Sequence, residues 1–245
     1  METMNNKDDI YSAKLSKIAD FAFDDRVADV FPDMIKRSVP GYASIVTMLT
    51  TLSERYAQPD SNLYDLGCSL GASALAMRQG IDVDGCRIIG VDCSDAMIKR
   101  CRKIIERDHH TTPVDLICGD IRDIPIENAS MVVLNFTLQF IDPADRKVLL
   151  QKICDGMRPG GILVLSEKVV FEDDHLNELL IDVHHAFKRA QGYSDMEISQ
   201  KRTSIENVLI PESVTAHKQR LLDVGFKSCD VWFQCFNFMS MLAIK

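Results

Sequence analysis

The stretch that decides the fold is Y-D-L-G-C-S-L-G, residues 64–71. It has the pattern of a buried strand that ends at a turn containing Gly67 and Gly71, with a helix beginning directly afterwards. Glycine at these places lets the backbone approach a ligand and lets the helix pack against the strand. A plain strand-to-helix turn would have the same pattern, so both interpretations stay open. The G-x-G-x-x-G pattern of pyrophosphate sites and the Gly-Lys-Ser/Thr of a P-loop are absent.

Outward from this loop, short apolar runs alternate with helical stretches. Apolar runs separated by helices predict a parallel sheet that is covered on both faces. The predicted strands are 62–66, 87–91, 114–118, 129–134 and 162–165, and the predicted helices are 43–56, 72–77, 94–107 (with Ser94 as N-cap) and 143–157.

The two ends of the chain add to this sheet. Residues 226–244 alternate as two strands and predict an antiparallel C-terminal hairpin, which makes a seven-stranded, mostly parallel sheet. Residues 173–224 predict a helical insertion, broken near Gly192 and Pro211, and residues 11–42 predict short helical pieces and loops. The fold class is therefore α/β and Rossmann-like, with a helical N-terminal cap (1–59) and a ligand-binding domain (60–245). The polar residues 1–9 are predicted to be disordered.

Composition narrows the class of function. The 245 residues carry a net charge of −8 and no run of Lys or Arg, which disfavours direct binding to a nucleic-acid backbone and favours a small ligand. None of the eight cysteines forms a Cys-x-x-Cys pair, and no His/Cys/carboxylate cluster has metal-ligand spacing, so we expect free thiols and no metal. No signal peptide and no membrane-length apolar run is present, so we expect a cytoplasmic protein without membrane contact.

Polar side chains follow three further predicted strands. Asp92 ends the second strand, where a carboxylate can accept hydrogen bonds from both hydroxyls of a ribose. Its alternative role is the N-cap of the next helix. Asp120 is expected to end the third strand and to bind an adenine amino group, and Asn135 ends the fourth. Open α/β sheets bind ligands at this edge.

In this order and spacing, the motifs of residues 60–168 resemble those of class I S-adenosylmethionine-dependent methyltransferases. Four longer stretches resemble more narrowly the carboxy-S-adenosyl-methionine synthase family. They are F-D-D-R-V-A-D-V-F-P-D-M-I-K-R-S-V-P-G-Y (23–42), E-N-A-S-M-V-V-L-N-F-T-L-Q-F (127–140), H-H-A-F-K-R-A-Q-G-Y-S-D-M-E-I-S-Q-K-R (184–202) and W-F-Q-C-F-N-F (232–238). The likeness covers nearly the whole chain.

The resemblance implies a reaction in which prephenate carboxylates the methyl carbon of S-adenosylmethionine, which is a substrate rather than a resident cofactor. It also implies a homodimer, and a partner tRNA carboxymethyltransferase that uses the product to modify wobble uridine. The implied binding residues are Tyr42, Gly67, Cys68, Ser69, Asp92, Cys93, Asp120, Ile121, Asn135 and Arg202.

Arg202 is the implied catalytic residue, because its guanidinium would hold the newly added carboxylate. From residue type alone, Arg202 would be a surface arginine in a helical segment. Two other functions remain as alternatives, an ordinary small-molecule methyltransferase and a non-catalytic module that binds the nucleoside. His184 and His185 are adjacent in a helix and face different directions, so they are not expected to share a metal.

Overall fold

The computed structural model describes residues 6–245. The helices are α1 (Asp25–Ser38), α2 (Tyr42–Tyr56), α3 (Ala72–Gly80), α4 (Asp95–Ile105), α5 (Pro143–Gly156), α6 (Asp174–Ala190), α7 (Asp195–Ile205) and α8 (Val214–Asp223), with a 3-10 turn at Leu138–Phe140. The strands are β1 (Asn62–Leu66), β2 (Arg87–Asp92), β3 (Val114–Cys118), β4 (Ala129–Asn135), β5 (Met157–Val170), β6 (Glu212–Ser213), β7 (Ser228–Cys235) and β8 (Phe238–Ile244).

Seven strands pair in the order β3-β2-β1-β4-β5-β8-β7. The first five are parallel, β8 runs antiparallel to β5, and β7 runs antiparallel to β8. The predicted α/β fold with a C-terminal antiparallel hairpin is confirmed. A two-residue strand, β6, also pairs with the end of β5, inside the segment predicted to be helical. Because the strand order reverses between β1 and β4, the carboxyl ends of these strands open a crevice where such sheets bind ligands.

The core lies on both faces of the sheet, as the apolar strands predict. Residues 129–134 of β4 are buried on both sides, since helices cover each face. One face packs mainly against α5 and α8, and the other against α2 and α3. The core therefore fixes the central strands and leaves their carboxyl ends to carry the polar groups.

Three predictions for these elements were wrong. Residues 25–38 form one continuous helix, although Pro32 lies inside it, because Asp24 caps its N-terminus and its buried side chains pack against α4 and the N-terminal segment. β5 is much longer than 162–165, since it begins pairing at Met157 across a register shift with β4. Of residues 6–9, which were predicted to be disordered, Asp8 is buried and accepts a hydrogen bond from the Tyr193 hydroxyl. Residues 1–5 lie outside the described part of the chain.

The N-terminal segment is attached to the insertion helices. The side chain of Gln200 accepts a hydrogen bond from the Leu15 amide and donates to the carbonyls of Tyr11 and Ala13. The Phe21 amide donates to the Ser204 carbonyl at 2.7 Å. These contacts tie residues 11–21 to α7. The division at residue 59 into a cap and a ligand-binding domain stays a prediction.

Candidate active site

The loop after β1 is held in a tight turn. The amides of Gly67 and Cys68 both donate to the Val91 carbonyl, at 2.8 and 2.9 Å. Gly67 has a φ of +86°, and a Cβ there would lie 2.2 Å from Thr137 Oγ1. The Cys68 thiol is buried beside Cys101, and this contact together with burial raises its pKa. At Cys68, only backbone atoms are therefore left for the ligand that the sequence predicts.

Asp92 joins this loop to the next one. Its Oδ2 accepts from the Ser69 amide at 2.9 Å, and its Oδ1 accepts from the Ser94 amide at 2.8 Å. Burial raises the pKa of Asp92, while the two amides act against that shift. Ser94 is the N-cap of α4, because its hydroxyl accepts from Met97, so the alternative cap role for Asp92 was wrong. Each oxygen of Asp92 keeps a lone pair for a further donor, such as a ribose hydroxyl.

Asp65 is a site residue to which the sequence analysis assigned no ligand. Its carboxylate is 1% exposed and accepts from the Ala74 amide in the first turn of α3 at 2.9 Å. Burial raises the pKa of Asp65 to about 7, and the charge of Asp92 adds to the shift. At the start of α2, burial and, to a lesser extent, the charge of Asp65 raise the pKa of the Tyr42 phenol. The position of Asp65 near the end of the first strand was the feature of the sequence that could have indicated this role.

Asn135 ends β4 within the same crevice. Its Nδ2 donates to Ser73 Oγ at 3.2 Å, but its buried Oδ1 has no hydrogen-bond partner among residues 6–245. A buried acceptor without a partner is costly, so this oxygen suits a donor from a bound ligand. The next residue, Phe136, has a φ of +62° and packs between Tyr42 and Phe238, at ring distances of 6.3 and 6.0 Å. The apolar wall beside Asn135 is therefore aromatic.

A buried carboxylate holds the turn that follows. The amides of Leu138 and Gln139 donate to the two oxygens of Glu167, each at 2.9 Å. Glu167 is fully buried and comes from β5, the neighbouring strand. It therefore fixes the segment that includes Thr137, which packs on Gly67.

The residues predicted to bind adenine are arranged differently from what the sequence indicates. β3 ends at Cys118, so Asp120 lies two residues beyond the strand and does not end it. Its carboxylate pairs with Arg122 at 2.6 Å, and Arg122 holds the pKa of Asp120 below its usual range. Ile121 is buried and Cys93 is exposed, with the Cys118 thiol 3.9 Å from the Cys93 carbonyl. An adenine amino group would have to share the Asp120 carboxylate with Arg122.

Arg202 lies on α7, away from the glycine loop in the chain. α7 begins with a capping box formed by Ser194 and Glu197. The Arg202 side chain is exposed and makes no ion pair or hydrogen bond within residues 6–245. Burial and, to a lesser extent, the positive charge of Arg202 lower the pKa of Lys168, near the end of β5. Lys168 pairs in register with Phe238, which packs on Phe136 beside Asn135.

Other side chains considered from the sequence have packing roles. The Trp232 indole donates to Ser240 Oγ at 2.9 Å, and Phe238 is buried. The rings of His184 and His185 are 6.3 Å apart. Within residues 6–245, no three His, Cys, Asp or Glu side chains are grouped to hold a metal ion. No described helix combines the length and the apolar character that crossing a membrane requires.

Comparison with known proteins agrees with this fold. A family model described as a methyltransferase domain matches residues 63–161. The fold is similar to that of an O-methyltransferase family protein from Burkholderia thailandensis, with a TM-score of 0.66 at 15% identity over 91% of this chain and 60% of that one. It is also similar to human N-acetylserotonin methyltransferase in complex with SAM, with a TM-score of 0.61 at 17% identity over 90% of this chain and 55% of that one.

The sheet order and the crevice define a protein of the class I methyltransferase fold. The carboxy-S-adenosyl-L-methionine synthase of Aliivibrio fischeri is 62% identical to this chain over 242 residues, which covers 99% of the chain and 100% of that relative. The chain belongs to the carboxy-S-adenosyl-L-methionine synthase family.

Proposed function

We propose that the chain converts S-adenosylmethionine and prephenate into carboxy-S-adenosyl-methionine, phenylpyruvate and water. The observation that carries this proposal is the identity of 62% over 99% of the chain. Such coverage extends beyond the methyltransferase domain of residues 63–161 to the N-terminal helices and to α7, which bears Arg202. These are the parts that an ordinary methyltransferase does not need to share.

The reaction balances without a side-chain base. Prephenate, a dianion, loses carbon dioxide and its ring hydroxide, and the ring becomes aromatic. The hydroxide takes a proton from the sulfonium methyl group and becomes water. The resulting ylide carbon forms a bond to carbon dioxide and becomes a carboxymethyl group. The protein has to hold both substrates close together, exclude water and stabilise the new carboxylate.

The crevice supplies contacts for the nucleoside and the amino acid ends of S-adenosylmethionine. We assign the ribose to Asp92 and the backbone of Cys93, and the adenine to Asp120 and Ile121. The methionine part would lie along the glycine loop, between Tyr42 and Asn135. In this assignment, Gly67, Cys68 and Ser69 contribute backbone atoms. The unpaired Oδ1 of Asn135 and the spare lone pairs of Asp92 support it.

Arg202 is the residue we assign to the new carboxylate. A guanidinium can hold a carboxylate through two parallel hydrogen bonds, and it stays charged even where water is excluded. The side chain is free of ion pairs within residues 6–245, which supports its use for a ligand. We further infer a homodimer, and a tRNA carboxymethyltransferase as the consumer of the product.

Mass spectrometry tests the proposed reaction. The protein is incubated with S-adenosylmethionine and prephenate, and the masses of the nucleoside products are measured. We expect a species heavier than S-adenosylmethionine by one carboxyl group, formed with an equal amount of phenylpyruvate. Methyl transfer to an added small-molecule acceptor, without the heavier species, would identify an ordinary methyltransferase. Tight binding with no turnover would identify a binding module.

A further inference from the structure

A buried lysine on α6 has no hydrogen-bond or ion-pair partner among the residues that the structure describes. Lys188 is 6% exposed, yet its ammonium makes no hydrogen bond or ion pair with any of residues 6–245. The ammonium lies over the face of the Tyr193 ring, 5.5 Å from its centroid. Placing an ammonium group in a largely buried position without an anion costs free energy, and a bound anion would reduce this cost.

The carboxylates of Asp8, in the N-terminal segment, and Asp33, on α1, are engaged by other groups. Asp8 accepts from the Tyr193 hydroxyl and lies 3.9 Å from the Lys201 ammonium. Asp33 pairs with Arg37 at 2.9 Å. Burial and the positive charges of Lys201 and Lys168 lower the pKa of Lys188 to about 7. The negative charges of Asp8 and Glu197 act against this shift but do not offset it.

A second cation without a partner connects this cluster to the crevice. The Lys168 ammonium also makes no hydrogen bond or ion pair within the described chain. Lys168 lies opposite Phe238 in the β5–β8 pair, and the Phe238 ring packs on His184 with 4.8 Å between ring centroids. His184 precedes Lys188 by one helical turn on α6.

His184 is not itself an anion-binding cation. Its Nε2 lies 2.8 Å from the Ser38 carbonyl, so this nitrogen carries a proton and donates it. Burial lowers the pKa of His184 to about 3, which keeps the ring neutral. Its position is fixed between the Ser38 carbonyl and the Phe238 ring.

We propose that Lys188, assisted by Lys168, binds the carboxylate of prephenate that is not transferred and that leaves in phenylpyruvate. This inference rests on the proposed function, which needs a site for a dianion. Arg202 is assigned to the transferred carboxylate, and a second anion site must lie near it. Lys168 is linked to Lys188 through Phe238 and His184, and the charge of Arg202 contributes to the lowered pKa of Lys168. A carboxylate bound there would pair with ammonium groups that have no anionic partner within residues 6–245.

Binding measurements with the two products separate the two anion sites. Calorimetry with saturating S-adenosylmethionine gives the Kd of phenylpyruvate, and calorimetry without it gives the Kd of carboxy-S-adenosyl-methionine. We expect Lys188→Met to weaken phenylpyruvate binding by about ten- to a hundredfold and to leave the other Kd unchanged. Arg202→Ala should do the reverse, because phenylpyruvate lacks the transferred carboxylate. Lys99→Met, at an exposed position on α4, is the control that should change neither.

The outcomes distinguish this inference from the proposed function. Unchanged phenylpyruvate affinity in Lys188→Met, or no phenylpyruvate binding by the unmodified protein, would overturn the assignment. Equal weakening of both products would make Lys188 a packing residue and would also overturn it. If Lys188→Met does not fold, Lys188→Gln is measured in its place, because it keeps a polar end of similar reach. Absence of the carboxylated product with the unmodified protein would instead reject the function.

Discussion

At the scale of single residues, Asp92 has two tasks that a substitution can separate. Its carboxylate bridges the amides of Ser69 and Ser94, and we assign the remaining lone pairs to a ribose. Asp92→Ala should weaken S-adenosylmethionine binding by roughly 1–3 kcal/mol, since ligand hydroxyls lose their acceptor in a buried place. Asp92→Asn, which keeps one oxygen, should lose less. Calorimetry on folded protein measures both; unchanged affinity in the alanine variant would rule out the ribose assignment.

Arg202 is the second residue whose chemistry can be tested by itself. Arg202→Lys keeps the charge but loses the planar fork that holds a carboxylate through two hydrogen bonds. We expect near-normal affinity for S-adenosylmethionine and a loss of about tenfold or more for carboxy-S-adenosyl-methionine. The measurement is one Kd for each ligand. A parallel shift of both constants would make Arg202 a general binding or structural residue, and no shift would place the carboxylate elsewhere.

At the scale of elements, Glu167 joins β5 to the 3-10 turn after β4. It accepts from the amides of Leu138 and Gln139 in a fully buried place. Glu167→Ala should lower the free energy of unfolding by roughly 1–3 kcal/mol for each amide left unpaired. Glu167→Gln keeps one carbonyl oxygen and should cost about half as much. Urea unfolding of the two variants checks this order, and equal stability to the unmodified protein would show that the amides find other partners.

The elements also show why the sequence predicts some features and not others. Strand ends and helix caps depend on neighbouring residues, so Ser94 and the central strands could be predicted. The contact between Asp8 and Tyr193 joins residues 185 positions apart, and nothing local indicates it. The pairing of Asp120 with Arg122 was missed because the strand was expected to extend to Asp120. Lys188 has no signal in the sequence, since only the fold buries it.

At the scale of the whole molecule, stability should depend on a buried histidine. His217 is 1% exposed, neither ring nitrogen has a partner within residues 6–245, and burial lowers its pKa to about 4 from an ordinary 6.5. Below pH 6.5, His217 binds a proton in the unfolded chain, whereas in the folded chain it stays neutral down to about pH 4. As the pH falls between these two values, this one histidine lowers the free energy of unfolding by about 1.4 kcal/mol per pH unit.

The substitution His217→Leu isolates this contribution. The free energy of unfolding is measured by urea titration at several pH values between 7.5 and 4.5 for both proteins. As the pH falls, we expect the free energy of unfolding of the variant to decrease less steeply, by about 1.4 kcal/mol per pH unit, which corresponds to one proton. Parallel pH profiles for the two proteins would show that His217 is already able to accept a proton in the folded state.

The position of β8 in the sheet has a consequence for synthesis on the ribosome. β8 lies between β5 and β7, yet it follows both of them in the chain. Until residues 238–244 have emerged, β5 has an unpaired edge and β7 has no strand to pair with. Exposed strand edges pair with other chains, so the nascent protein passes through a stage that invites aggregation. Chaperones that bind nascent chains should therefore engage this protein after β5 has emerged and release it once β8 has paired.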